Sequence, residues 1–156
     1  PRLVALASLC AAGTSRPPRA DRLVRIAALL AGGDAWVATL SGARLEAGER
    51  DVVFLREPGE LARRPPPPLV LRAGETAVWD GRFEIEGPGR IVPLAGHAAR
   101  LPPEQQQALR ALPSKARAAL PFDLETLSCP ALTGQTVSLA RERLLAAYGA
   151  IDREPD

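Results

Sequence analysis

An α+β fold is predicted: an N-terminal helical pair, a small antiparallel sheet or partial barrel, and C-terminal helices. Three observations predict it. Apolar residues recur at helical spacing up to Gly32-Gly33. Short alternating runs broken by turn residues follow, from Trp36 to Leu94. Helical spacing returns after Pro103.

The elements follow in order. Residues 3–12 are rich in Ala and Leu, and Gly13 stops them. A Thr-Ser-Arg-Pro-Pro loop comes next, and Pro18 suits the start of a second helix. Leu23, Ile26, Ala27 and Leu30 give that helix one apolar face, and two helices joined by a short loop form an antiparallel pair. Residues 36–40, 43–46 and 51–56 read as a three-strand meander. Residues 59–68 end in four prolines and read as an extended spacer. Strands resume over 69–71, 76–79, 82–86 and 90–94. Asp80-Gly81 is a strong hairpin signal, because both central residues of the favoured turn need positive φ. A two-residue loop there sets Trp79 opposite Arg82, with Thr76, Val78, Phe83 and Ile85 on the core face. Ala77, Trp79, Arg82, Glu84 and Glu86 then face outward. Helices are expected over 103–112, 114–120 and 141–148, with a last strand at 135–139. The expected division is a helical segment over 1–33 and a β-rich domain with terminal helices over 34–156.

With 156 residues and 46% apolar composition the chain can bury a core. Aromatics are scarce at 4%, so Leu, Val and Ala must build it. The two cysteines, Cys10 and Cys129, stand in no motif, which fits a reducing cytoplasm better than a disulfide framework. No apolar run reaches membrane-span length. The chain begins at Pro1 and contains no Met, which is compatible with a piece of a longer protein.

Nineteen of the 20 basic residues are Arg, and Lys115 is the sole Lys. Codon bias toward Arg, Ala, Gly and Pro explains this as readily as function does. The distribution says more. Residues 1–33 carry five Arg against one Asp, whereas the remainder is slightly acidic or balanced.

Catalytic constellations are missing from the sequence. His97 is the single histidine, expected as a solvated loop residue, and no nucleophile motif surrounds any Ser or Cys. Cys10, His97 and Cys129 lack zinc-ligand spacing. Gly87-Pro88-Gly89 lacks the Lys-Ser/Thr ending of a phosphate loop. Two binding constellations remain. Arg16, Arg19, Arg22 and Arg25 recur every three residues along a loop and into a helix, where they can meet a phosphate backbone. Trp79 beside Arg82 can stack on a base if the pair faces outward. Arg63 and Arg64, on a mobile loop, are further candidates. The alternative is a structural or protein-interaction module whose basic helix packs on its own parent.

A resemblance appears in the order of several blocks. Pro17-Pro18-Arg19 with Asp21-Arg22-Leu23 is followed by Leu29-Leu30-Ala31-Gly32. Then come Thr39-Leu40-Ser41-Gly42-Ala43-Arg44, Leu55-Arg56-Glu57-Pro58 and Val78-Trp79-Asp80-Gly81-Arg82-Phe83. In this order they resemble the C-terminal half of tRNA(Ile)-lysidine synthetases of the alphaproteobacterial type, over most of residues 1–121. The chain departs at Leu40-Ser41-Gly42-Ala43, where the family often reads Leu-Gly-Gly-Cys.

The resemblance implies a parent ligase that activates an anticodon cytidine of isoleucine tRNA with ATP and magnesium and then couples free lysine to it. The family's adenylation motif, Ser-Gly-Gly-x-Asp-Ser, does not occur here. No catalytic residue and no cofactor is therefore assigned to this chain. The implied role is tRNA binding beside an N-terminal PP-loop domain, in the cytoplasm and away from membranes. Pairing with a second copy is a further expectation, because a missing domain leaves apolar surface exposed.

Overall fold

The computed structural model describes residues 1–149. The chain divides into two compact units. The first comprises Pro1–Glu57 and the described residues from Ala140 onward, and the second is Pro58–Leu139. The helix-to-strand change near residue 33 is thus a change of secondary structure inside one unit.

The first unit opens with α1 (Arg2–Ala12) and α2 (Ala20–Gly32). Gly13 closes α1 in the left-handed conformation, φ 67°, which lets its N–H reach the Cys10 carbonyl. Arg19 is the extended residue before α2, and Gly33, φ 76°, ends that helix. A meander follows: β1 (Trp36–Leu40), β2 (Ala43–Ala47) and β3 (Val52–Arg56), antiparallel in that order. Leu40 pairs with Ala43 around Ser41-Gly42, whose positive φ values of 49° and 84° match a two-residue hairpin turn. Val4 and Ala12 of α1 and Ile26 of α2 pack with Leu40, Ala43 and Leu45 of the sheet. Leu40 and Leu45 are fully buried, each contributing about 1.5–3 kcal/mol as an upper estimate.

The second unit begins with the short helix α3 (Pro58–Arg63). Pro58 suits a first helical turn, and Glu60 and Arg63 complement the helix dipole at opposite ends. The four prolines run without regular structure into β4 (Leu69–Leu71). They lie inside this unit, so they do not space one unit from the other. Next come β5 (Thr76–Trp79), β6 (Phe83–Glu86) and β7 (Gly89–Pro93). A 3-10 turn at Ala98–Arg100 precedes α4 (Pro103–Ala111) and α5 (Ser114–Arg117). The unit closes with β8 (Pro121–Asp123), α6 (Pro130–Thr133) and β9 (Thr136–Ser138), and Leu139 starts α7 (Leu139–Ala147).

The strands of this unit form two antiparallel three-stranded sheets, ordered β4-β7-β8 and β5-β6-β9. The overall class is α+β, without a closed barrel. One core cluster joins Leu71, Trp79, Phe83, Ile85 and Ile91, and another joins Leu94, Leu101, Leu109, Phe122 and Cys129.

The β5–β6 hairpin departs from the expected register by one residue. Asp80 and Gly81 do form the turn, with φ 51° and 63°, and the Arg82 N–H donates to the Trp79 carbonyl. The ladder nevertheless pairs Trp79 with Phe83 and Val78 with Glu84. Arg82 is an extra residue between turn and ladder. Because side chains alternate with period two, that slip exchanges the faces of β5. Trp79 goes into the core at 2% exposure, and Val78 comes out at 37%.

Candidate nucleic-acid interface

The arginine row lies in the first unit. The Arg16 N–H donates to Thr14 Oγ1 at 3.2 Å, which ties the loop leading into Pro17-Pro18. Those prolines hold the chain extended up to Arg19, and Arg22 and Arg25 follow on the first turns of α2. All four arginines are exposed, and none makes an ion pair with a described residue. Asp21 does not neutralise them.

Residues three apart on a helix sit about 60° apart around its axis and about 4.5 Å apart along it. Arg22 and Arg25 therefore flank Ile26 on one side, and Ile26 is the buried anchor of α2. Like charges held this close without partners disfavour the isolated helix by a few tenths of a kcal/mol per pair, roughly, and a polyanion relieves that cost.

Arg63 and Arg64 belong to the second unit, at the end of α3 and in the bend that follows it. Arg63 ends α3, and the Arg64 N–H donates to the Glu60 carbonyl. Their guanidinium groups both meet the Glu60 carboxylate, at 3.3 and 3.8 Å. Their side chains are 69% and 80% exposed, so these pairs are weak.

Trp79 and Arg82 depart from the outward-facing arrangement. Trp79 packs within the apolar cluster, tilted against Phe83, where no base can reach its ring. Arg82 is 8% exposed. Its guanidinium donates from Nε and Nη2 to Asp80 Oδ2, at 2.9 and 2.7 Å, and also to the Ala119 carbonyl. It lies over the Phe83 ring as well, 4.9 Å from the centroid. A desolvated arginine with these partners fastens the hairpin to the segment after α5.

A second basic stretch is hidden in the sequence, because charge averaged over the last third cancels. Arg100, Arg110, Lys115 and Arg117 lie close in sequence with only Glu104 against them. None of them makes an ion pair with a described residue. Arg117 is spent locally, donating to the carbonyls of Leu112 and Arg110. His97 sits in a turn, as expected, but is only partly solvated. Its ring stacks on buried Phe122 at 4.8 Å and 3°, and Arg100 Nη1 lies 3.3 Å from its Nδ1.

Both thiols are drawn away from reactivity. Burial pushes the Cys129 thiol up, only partly offset by hydrogen bonds from the backbone of Leu132 and Ala131. Burial also pushes Cys10 up, against the opposing charge of Arg143. Among the described residues, no three His, Cys, Asp or Glu side chains come together to hold a metal ion. No described helix is long and apolar enough to cross a membrane.

No family model matches the chain. No solved structure matches it either. A curated protein does: the tRNA(Ile)-lysidine synthase of Caulobacter vibrioides is 38% identical over 171 aligned residues. The alignment takes in 99% of this chain, past the point near residue 121 where the block resemblance fades, and 41% of the synthase. The chain is therefore similar over nearly its whole length to a part, about two fifths, of a tRNA(Ile)-lysidine synthase.

Proposed function

We propose that this chain is the tRNA-binding region of a tRNA(Ile)-lysidine synthetase, and that Arg16, Arg19, Arg22 and Arg25 contact phosphates. The observation that carries this reading is the exposed arginine row without ion-pair partners on the loop and first turns of α2. The likeness to the Caulobacter tRNA(Ile)-lysidine synthase supports tRNA as the polyanion. In this reading the parent enzyme couples lysine to the anticodon cytidine using ATP and magnesium. A PP-loop domain carries that chemistry, in the cytoplasm, and this region holds the tRNA in place. Arg63 and Arg64 make accessory contacts across their weak pairs with Glu60.

The test replaces the four arginines by Ala and titrates tRNA binding against salt. The reading expects weaker binding to all RNA sequences, with the salt slope reduced by about one unit for each phosphate left without its arginine. Unchanged affinity and slope contradict it.

A second reading has its own observation. Val24 and Leu29 of α2 are 64% and 42% exposed. Exposed apolar side chains on the helix that carries the arginines fit packing of α2 on another domain of the parent protein. In that case Val24→Ser with Leu29→Ser disrupts association with that domain and leaves RNA affinity unchanged.

A further inference from the structure

The second unit holds a cleft of about 570 Å³, and the hydrogen-bonding capacity left unspent around it defines a ligand. The cleft lies where the β5-β6-β9 and β4-β7-β8 sheets part, beside the Gly87-Pro88 link between β6 and β7. Ile85 and Ile91 supply an apolar floor, almost wholly covered at 2% and 1% exposure.

The protons of the polar wall are partly committed. Asp123, 4% exposed, already accepts three hydrogen bonds. Its Oδ1 accepts the N–H groups of Arg90 and Glu125, both at 3.0 Å, and its Oδ2 accepts the Thr126 hydroxyl at 2.8 Å. Thr126 has one proton and gives it to Asp123. In the 2.7 Å contact between Thr126 and Ser128 the donor must then be Ser128, which leaves Ser128 Oγ as an acceptor. Thr133 has one proton and two acceptors in reach, the Pro130 carbonyl at 3.1 Å and Gln135 Oε1 at 3.0 Å; whichever takes it, the Gln135 amide keeps at least one N–H to donate. The Glu86 carboxylate has no partner among the described residues.

What remains is a carboxylate acceptor, a hydroxyl acceptor and an amide donor over an apolar floor, with Asp123 adding negative charge. That set disfavours phosphate. It matches a flat heterocycle that presents an amino group beside a ring acceptor, as the pairing edges of cytosine and adenine do.

We infer that this cleft binds an unpaired, amino-bearing nucleobase of an RNA strand, with Glu86 accepting from the exocyclic amine and the Gln135 amide donating to the adjacent ring acceptor. The site lies in a different unit from the arginine row and does not depend on the phosphate contacts proposed there.

The test is an amide NMR titration of the whole chain with cytidine and, separately, with uridine, which has no exocyclic amine. Neither nucleoside carries a phosphate. Cytidine should shift amides around 86–91 and 128–135 in a saturable way, roughly tenfold or more tighter than uridine. Glu86→Ala should abolish that preference, and Gln135→Ala should weaken cytidine about tenfold. Alanine at the four arginines should leave both titrations unchanged, which separates failure here from failure of the phosphate reading. If the Glu86 variant does not fold, the cytidine-to-uridine ratio of the unaltered chain decides. Equal binding of the two nucleosides, no saturable shift from either, or equal binding of Nα-acetyl-lysinamide overturns the inference.

Discussion

Trp79 lies opposite Phe83 across the β5–β6 hairpin, with the two ring centroids 6.3 Å apart. This pairing makes Trp79 a core residue of the second unit. Trp79→Ala should destabilise that unit by about 3–5 kcal/mol, read from urea unfolding. Trp79→Phe keeps most of the packing, and its tRNA affinity should stay within about twofold of the unaltered chain. A large loss of affinity in a folded Trp79→Phe chain contradicts the buried placement.

The Asp80–Arg82 pair sits at 8% and 10% side-chain exposure. Removing one charge leaves the other desolvated and unmatched. Asp80→Asn keeps a residue that tolerates positive φ and deletes only the charge, so the turn itself is preserved. It should cost about 3 kcal/mol, while the double change with Arg82→Met should cost less than the sum of the two. Additive losses in a double-mutant cycle go against the pair as described.

Cys129 is fully buried, and burial raises its thiol above the ordinary thiol range. Folding thus favours the protonated form. The stability from the neutral buried thiol is fully present below the unfolded thiol's pKa and is lost as pH rises through the folded value. Thiol-reagent kinetics at pH 7–8 should therefore show Cys129 labelled only as fast as the chain opens, and Cys10, half-buried, labelled first. Labelling of Cys129 at the rate of a free thiol is the contrary result.

Gly87 leaves no room for a side chain: a Cβ there falls 2.4 Å from the Arg72 carbonyl and 2.6 Å from Leu71 Cβ. The opposing atoms are mostly backbone, so Gly87→Ala must displace β4 or the β6–β7 link. A fall in thermal midpoint of several degrees is expected. Gly74→Ala, at a position with open space, should show only the smaller cost of positive φ.

Much of the fold is legible in the sequence because turn residues punctuate it. Leu69–Leu71 and Thr76–Trp79 fall where the alternation and the flanking glycines place them. Gly13 and Gly33 end their helices as expected. Local pattern does not show that Arg82 becomes an extra residue. The tertiary part is the Ala119 carbonyl, which together with the neighbouring Asp80 carboxylate holds the guanidinium inside. Pro121–Asp123 is not legible as a strand because it is three residues long, begins with Pro and exists only through its pairing with β7. Of the candidate site, the exposed row from Arg16 to Arg25 can be read from spacing. The cleft between the two sheets cannot, because Glu86 is far in sequence from Ser128 and Gln135 and the three belong to no motif.

Binding of this chain to an isoleucine tRNA with a CAU anticodon, titrated against salt beside an unrelated tRNA, decides most directly whether the region recognises its RNA. The arginine row predicts salt-dependent binding with a steep slope, and the proposed membership in a tRNA(Ile)-lysidine synthetase predicts a preference for the isoleucine tRNA. Absence of binding at low salt, with the chain folded, contradicts the proposed role.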